Sequence, residues 1–177
     1  MNTIECITSR RSIRSFTNQP ISNELKEKIV AAAAYAPSWK NTQITRYIFV
    51  ESKEGKDKLK ECVPTYNLQA IEQAAAVVIV TMIKYRSGFE RDGSFSTAKK
   101  DSWQMFDAGV ASQTLCLAAH EYGLGTVIQG IFEYEQVREA FDIPNEQEVV
   151  ALIPMGYPAE DPTAPRRKTV EDLMKIV

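Results

Sequence analysis

The 177-residue sequence predicts one domain, residues 1–177, in which helices and strands mix throughout around a four-stranded sheet. Three observations predict it. The length suits a single domain with a sizeable core. Segments rich in β-branched and apolar residues, "TRYIFVES", "AVVIVTMI", "TVIQG" and "EVVALIPMGYP", read as strands. Between them lie segments of helical periodicity, giving the order α, α, β, α, β, α, β, α, β.

Taken in order, Thr3 can cap a short helix through "IECITS", after which "SIRSF" alternates polar and apolar residues like an extended chain. Pro20 and Ser22 announce a second helix, "NELKEKIVAAAAYA". Its Leu25, Ile29, Ala32 and Ala33 recur at helical spacing, and it must stop before Pro37. The loop "PSWKNTQ" follows, then the first strand and a solvated helix, "KEGKDKLKECV". "YNLQAIEQA" leads into "AVVIVTMI", whose unbroken apolar run predicts a strand buried on both faces. Residues 84–100, polar and Gly-containing, read as a mobile loop or small excursion over a site. Asp101–Tyr122 predicts the central helix, with Trp103, Phe106, Val110, Leu117 and several alanines as its apolar positions and Gly123 as its left-handed cap; Ala108, Gly109, Ala111 and Ser112 would let another backbone approach closely, within the core or across a subunit boundary. "EYEQVREAF" reads as a short helix, and the Pro-rich tail from Ala159 as extended chain closing on a segment able to form another.

Composition excludes several function classes. With 21 Lys+Arg against 23 Asp+Glu the net charge is -2, so there is no broad basic field for nucleic acid. Cys6, Cys62 and Cys116 are odd in number and share no CxxC spacing, which suits a reducing cytoplasm. The N-terminal stretch lacks a signal-peptide core and the longest apolar run ends too soon to span a bilayer, so a cytoplasmic protein with no membrane partner is expected. His120 is the only histidine, late in a helix whose C-terminus favours the imidazolium. No GxGxxG or Walker loop occurs, and "GLG" at Gly123 reads as a helix stop. Scattered acids such as Glu90, Asp92 and Asp101 have no ligand spacing, so no metal is expected.

What remains is hydrogen bonding and positive charge, which suits a protein that leaves hard chemistry to an organic cofactor. "RRSIRSF" gathers Arg10, Arg11 and Arg14 around Ser12 near a helix end. Guanidiniums plus a hydroxyl can grip a phosphate, but the motif alone is weak and reads first as a solvated basic turn. Two further stretches add hydrogen-bonders and charge: Ser38, Asn41 and Gln43 in the Pro37 loop, and Arg166 and Arg167 after the last strand.

"RRSIRSF", "APSWKNTQ", "GLGTVIQG" and "PMGYPAEDPTAPRRKTVEDL", in this order over residues 10–172, together resemble the signatures of the nitroreductase family of FMN-dependent oxidoreductases. The resemblance implies an α+β fold, a mixed and mostly antiparallel sheet packed with helices, in an intertwined homodimer with FMN at the interface. It implies that Arg10, Arg11, Ser12 and Arg14 bind FMN, with Arg11 or Ser12 near the phosphate, Arg10 and Arg14 nearer the ribityl chain and pyrimidine ring, and Arg14 giving electrostatic support to the reduced ring. Arg166 and Arg167 would complete the phosphate clamp. Pro37, Ser38, Trp39 and Asn41 would reach the partner's FMN. Asn67 would bond the flavin pyrimidine edge, while Ile128, Gln129 and Gly130 would lie along the ring.

The implied activity takes hydride from NADH or NADPH and reduces nitroaromatics, quinones or similar electron-poor compounds in a ping-pong scheme without a catalytic side chain. Three departures bear on redox tuning. The loop continues "QIT" where many members have "QPW", Gln129 replaces a frequent acid, and Ala70 replaces a lysine of some members. The alternatives are a specialised flavin enzyme on the same fold, a dehalogenase or flavin-fragmenting enzyme, and a non-catalytic nucleotide- or anion-binding module.

Overall fold

A computed structural model describes all 177 residues. Four strands form one sheet: β1 (Thr45–Val50), β2 (Ala76–Ile83), β3 (Gly125–Thr126) and β4 (Gln147–Gly156). Their spatial order is β1-β2-β4-β3, and every neighbouring pair of strands is antiparallel. The single parallel pairing is an isolated bridge between Ser12 and Thr126. Seven helices surround the sheet: α1 (Thr3–Ser9), α2 (Asn23–Ala33), α3 (Lys53–Glu61), α4 (Thr65–Gln73), α5 (Ser102–Glu121), α6 (Tyr134–Ala140) and α7 (Val170–Leu173). The architecture is α+β.

Strand periodicity of two sorts β2 and β4 onto two cores. Val77, Ile79, Val149 and Leu152 pack with Leu59 of α3, Ile71 of α4 and Val137 of α6, and Ile13 and Phe16 join them. Val78, Val80, Ala151, Ile153 and Met155 pack on the other face with Ile29 of α2 and Leu115, Cys116 and Ala119 of α5. With helices on both faces, β2 has no solvated side, so its sequence shows no alternation; all its residues through Met82 are buried.

Three expectations are corrected. Helix α1 is capped by Asn2, not Thr3: its side chain accepts from Glu5 N–H at 2.9 Å while the Glu5 carboxylate accepts from Asn2 N–H. Two helices, not one, separate β1 from β2. The additional α4 starts at Pro64, which contributes no side-chain cap, so its entry carries no sequence signal. Helix α5 turns the opposite way from the reading of its large apolar residues. It buries Ala108, Ala111, Ser112, Leu115, Cys116 and Ala119 and leaves Phe106 60% exposed and Trp103 half-buried. Small side chains let the helix approach the sheet closely, and this outweighs burial of the aromatic face. Gly123 does adopt the left-handed cap, with φ 79°.

Residues 84–100 form an ordered excursion. Tyr85 N–H donates to Gln104 Oε1, and the Trp103 indole N–H donates to Thr97 Oγ1 at 3.1 Å. Phe89 faces Phe95 across a short antiparallel bridge.

Candidate functional site

Between α1 and α2 the chain from Arg10 to Phe16 runs extended along the end of the sheet. Ile13 N–H donates to the Thr126 carbonyl at 3.0 Å, and Phe16 bridges Pro158. Ile13 and Phe16 are buried and Arg14 is exposed between them; the three-residue spacing of the two anchors breaks strict strand alternation. The segment fits because β3 begins at glycine: a Cβ on Gly125 would fall 2.6 Å from Ile13 Cγ1. Gly125 was read as part of a helix stop; only Gly123 serves that purpose, and Gly125 makes room for Ile13.

Acceptors from two other elements pin the segment. The Glu160 carboxylate receives the N–H groups of both Arg14 and Ser15, the latter at 3.0 Å. Gln73 Oε1 at the end of α4 receives the Ser15 hydroxyl at 3.1 Å and Phe16 N–H at 3.3 Å. The guanidiniums are left without acids. Arg11 donates to the carbonyls of Thr8 and Arg10 at 2.8 and 2.9 Å, Arg14 reaches only the Ser12 carbonyl at 3.4 Å, and the Arg10 guanidinium donates to no protein atom. None of the three forms a salt bridge; among the arginines only Arg138 does. A fixed backbone thus displays three uncompensated cations within five residues.

Thr126 carries this row to a polar ledge. Gln129 exchanges both backbone hydrogen bonds with Leu152, at 2.8 and 3.0 Å, and its side chain is 5% exposed with Oε1 buried and unpartnered. On either side, Ile128 and Gly130 are exposed, and their backbone N–H groups donate to no protein acceptor. Asn67 on α4 ties in by donating Nδ2–H to the Ile131 carbonyl at 3.4 Å.

The proline loop is built elsewhere. Trp39 N–H donates to Asp107 Oδ2 at 2.9 Å, and Asp107 is 3% exposed on α5. Ser38 Oγ accepts from Gln43 N–H at 3.0 Å, Thr42 and Ser87 hydroxyls meet at 2.7 Å, and Lys40 pairs with Glu90 at 2.9 Å. Three non-glycine residues are left-handed: Lys40 at φ 45°, Asn41 at 56° and Gln43 at 48°. Such conformations persist only where the surroundings over-determine them, and they concentrate at functional loops. The loop borders a cleft of about 320 Å³ lined also by Arg46, Tyr47 and Asp107.

Of the expected site residues, then, Ser12 is bridged to Thr126, which ties the segment of Arg10, Arg11 and Arg14 to the chain that runs on through Ile128, Gln129 and Gly130, and Asn67 is attached to that chain through Ile131. Pro37, Ser38, Trp39 and Asn41 are not: no hydrogen bond or ion pair joins their loop to the arginine segment within one chain. Arg166 and Arg167 lie in the exposed tail, where Arg167 reaches only the Pro165 carbonyl at 3.1 Å. Sequence reading missed Glu160, Gln73 and Asp107, which act through backbone N–H groups. An acid that pairs with a peptide group leaves no charge pattern to find.

The expectation for His120 is also corrected. Burial, then the nearby Arg10 guanidinium, hold its imidazole below the ordinary range, outweighing the helix C-terminus. The three thiols are free and buried, and burial pushes each upward. No three His, Cys, Asp or Glu side chains gather as metal ligands, and no helix is long and apolar enough to cross a membrane.

Comparison with known proteins agrees with this geometry. The model of the nitroreductase family matches residues 7–81 and 61–157. A Methanothermobacter thermautotrophicus protein bearing the name NADH dehydrogenase/NAD(P)H nitroreductase is 31% identical over 166 residues, 92% of this chain and 80% of that protein. The NADPH-flavin oxidoreductase of Vibrio harveyi is 30% identical over 165 residues, covering 91% and 68%. A protein of Exiguobacterium sibiricum 255-15, crystallised in complex with FMN, shares the fold with a TM-score of 0.87 at 24% identity, covering 100% and 98%. The chain belongs to the nitroreductase family.

Proposed function

We propose that the protein is an FMN-dependent oxidoreductase that takes hydride from NADH or NADPH and reduces nitroaromatics, quinones or similar electron-poor small molecules. The observation that carries this reading is the Ile13 to Thr126 hydrogen bond, which sets the unpaired arginine row beside the unsatisfied Gln129 ledge. The residues present fit FMN. Arg10, Arg11 and Arg14 lack acid partners and so are available to a phosphate or an anionic ring. Gln129 Oε1 and the Gly130 N–H are an acceptor and a donor without protein partners. The NADPH-flavin oxidoreductase relative and the FMN-complexed fold relative support the same cofactor.

When bound, FMN supplies hydride acceptance and release, chemistry that no side chain here performs. The chain's own work is binding, orientation and electrostatics. Arg11 and Ser12 would hold the phosphate through charge-assisted hydrogen bonds, with Arg166 and Arg167 closing from the tail and Arg10 nearer the ribityl chain. Arg14 stabilises negative charge on the reduced ring by Coulomb attraction, and Asn67, Ile128, Gln129 and Gly130 set the ring edge. Donor and acceptor occupy one face in turn, a ping-pong order that calls for no side-chain acid or base.

The protein works as a homodimer in which Pro37, Ser38, Trp39 and Asn41 of one copy complete the site of the other. The strained, Asp107-anchored loop and its separation from the arginine row support this. Absorption spectra before and after anaerobic addition of NADPH or NADH test the reading. A yellow protein whose flavin band bleaches is expected; a colourless protein that takes up no added FMN contradicts it.

A further inference from the structure

We propose that His120 is a proton-linked positioning residue for the Arg10–Arg11 wall of the FMN site, so that FMN binding draws a proton onto the imidazole and tightens as the pH falls. This rests on the FMN reading above and extends it to regulation of the same site.

His120 lies in the last turn of α5 and meets the last turn of α1, with Nε2 2.8 Å from Ser9 Oγ. Ser9 Oγ also lies 2.7 Å from the Glu5 carbonyl, one turn back, and 3.7 Å from Met1 Sδ. Once the imidazole is charged both ring nitrogens are donors, so Nε2–H donates to Ser9 Oγ while the Ser9 hydroxyl donates to the Glu5 carbonyl. Arg10 follows Ser9 directly, and its own N–H donates to the Cys6 carbonyl at 3.2 Å, so imidazole, helix end and arginine row are mechanically joined.

The charged groups that act on the imidazole are Arg10 and Arg11 from the segment after α1 and Glu121 from α5. Of the titratable groups of α1, Cys6 is coupled to Glu121 and the Glu5 carboxylate is engaged at the Asn2 cap. Arg10 is the strongest of these charges, and Glu121, itself paired with the Met1 amino group at 2.8 Å, opposes it. Burial and Arg10 hold the free imidazole low. A phosphate on the arginines cancels their repulsion and adds attraction, so binding raises the His120 pKa. Between the free and bound values binding takes up a proton. Affinity therefore increases as pH falls through that window and levels off below it. The phosphate loses its second charge near pH 6, by about its ordinary titration, and this opposing trend must be separated from His120.

One histidine gives one imidazole resonance, so NMR titration of untagged protein reads His120 alone, with flavin fluorescence quenching recording occupancy in the same samples. With FMN saturating, the pKa is expected to rise by about one unit, equivalent to about tenfold tighter binding of the protonated form. An unmoved or lowered pKa with FMN bound overturns the inference. A second arm compares FMN affinity against pH in the wild type and in His120→Gln, which keeps an N–H donor for Ser9 and cannot be charged. The wild type should gain up to about tenfold over the variant on going to low pH; parallel curves overturn the proposal. Absence of quenching at every pH would instead show that the FMN reading itself had failed.

Discussion

The arginine segment and the proline loop solve opposite problems with the same number of residues. Residues 10–16 have relaxed extended backbone, buried anchors at Ile13 and Phe16, and unpaired side-chain charge. Residues 37–43 are tied to α5 through the Trp39 backbone N–H and to residues 84–100 through Lys40 and Thr42, while the backbone is left-handed at three non-glycine positions. One region keeps its binding capacity in side chains on an easy backbone; the other spends conformational free energy to present a fixed loop shape. On the reading proposed above, the difference is that a single chain finishes one wall of a site and prepares a wall for another copy.

The largest effect should come from stripping the first wall. Arg10→Ala combined with Arg11→Ala removes two charge-assisted contacts, each worth about 1.5–3 kcal/mol. FMN affinity should fall at least about a hundredfold while the melting temperature hardly moves, as fluorescence titration and calorimetry will show.

Next in size is Asp107→Ala. It leaves the Trp39 N–H without its acceptor and should cost about 1–3 kcal/mol of stability, together with flavin content. Loss of stability with full flavin retention would break the comparison, since the loop would then be structural only. Gly125→Ala should act on the first wall by about 1–3 kcal/mol, because its Cβ meets Ile13 at 2.6 Å and must push the arginine row off β3.

Arg14→Ala separates charge from grip. Its guanidinium touches only the Ser12 carbonyl, so stability should be unchanged. Loss of about 1 kcal/mol of Coulomb stabilisation should lower the two-electron flavin potential by roughly 20 mV. Weakened phosphate binding at an unchanged potential would reassign Arg14. The smallest effect belongs to Lys40→Ala, which removes an exposed pair with Glu90 and should alter stability by less than about 0.5 kcal/mol in a denaturant titration.

How much of this was legible in the sequence follows from which interactions leave a pattern. The run "AVVIVTMI" announced a two-sided buried strand, and Gly123 announced the end of α5; both are dictated by local chemistry. The junction position of "RRSIRSF" was legible too, because its alternation is a backbone property. Helix α4 was not, since Pro64 offers no side-chain cap; of α5 the close-approach face at Ala108, Ala111 and Ser112 was legible, while its turning to the core of the chain was not, since small residues serve a core and a subunit boundary alike. Glu160, Gln73 and Asp107 were hidden because each serves a peptide N–H far away in sequence. That the arginines and the proline loop stay apart in one chain is a matter of topology, which no motif records.

The central claim is that each site takes one wall from each of two copies, and co-expression of two defective chains tests it most directly. One chain carries Arg10→Ala and Arg11→Ala, the other Ser38→Ala and Asn41→Ala, and each alone should purify nearly free of flavin. In a mixed dimer one site receives both lesions and the other receives neither. The account predicts about one FMN per mixed dimer, bleached by NADPH or NADH without air. A mixed dimer as empty as its parents would contradict it.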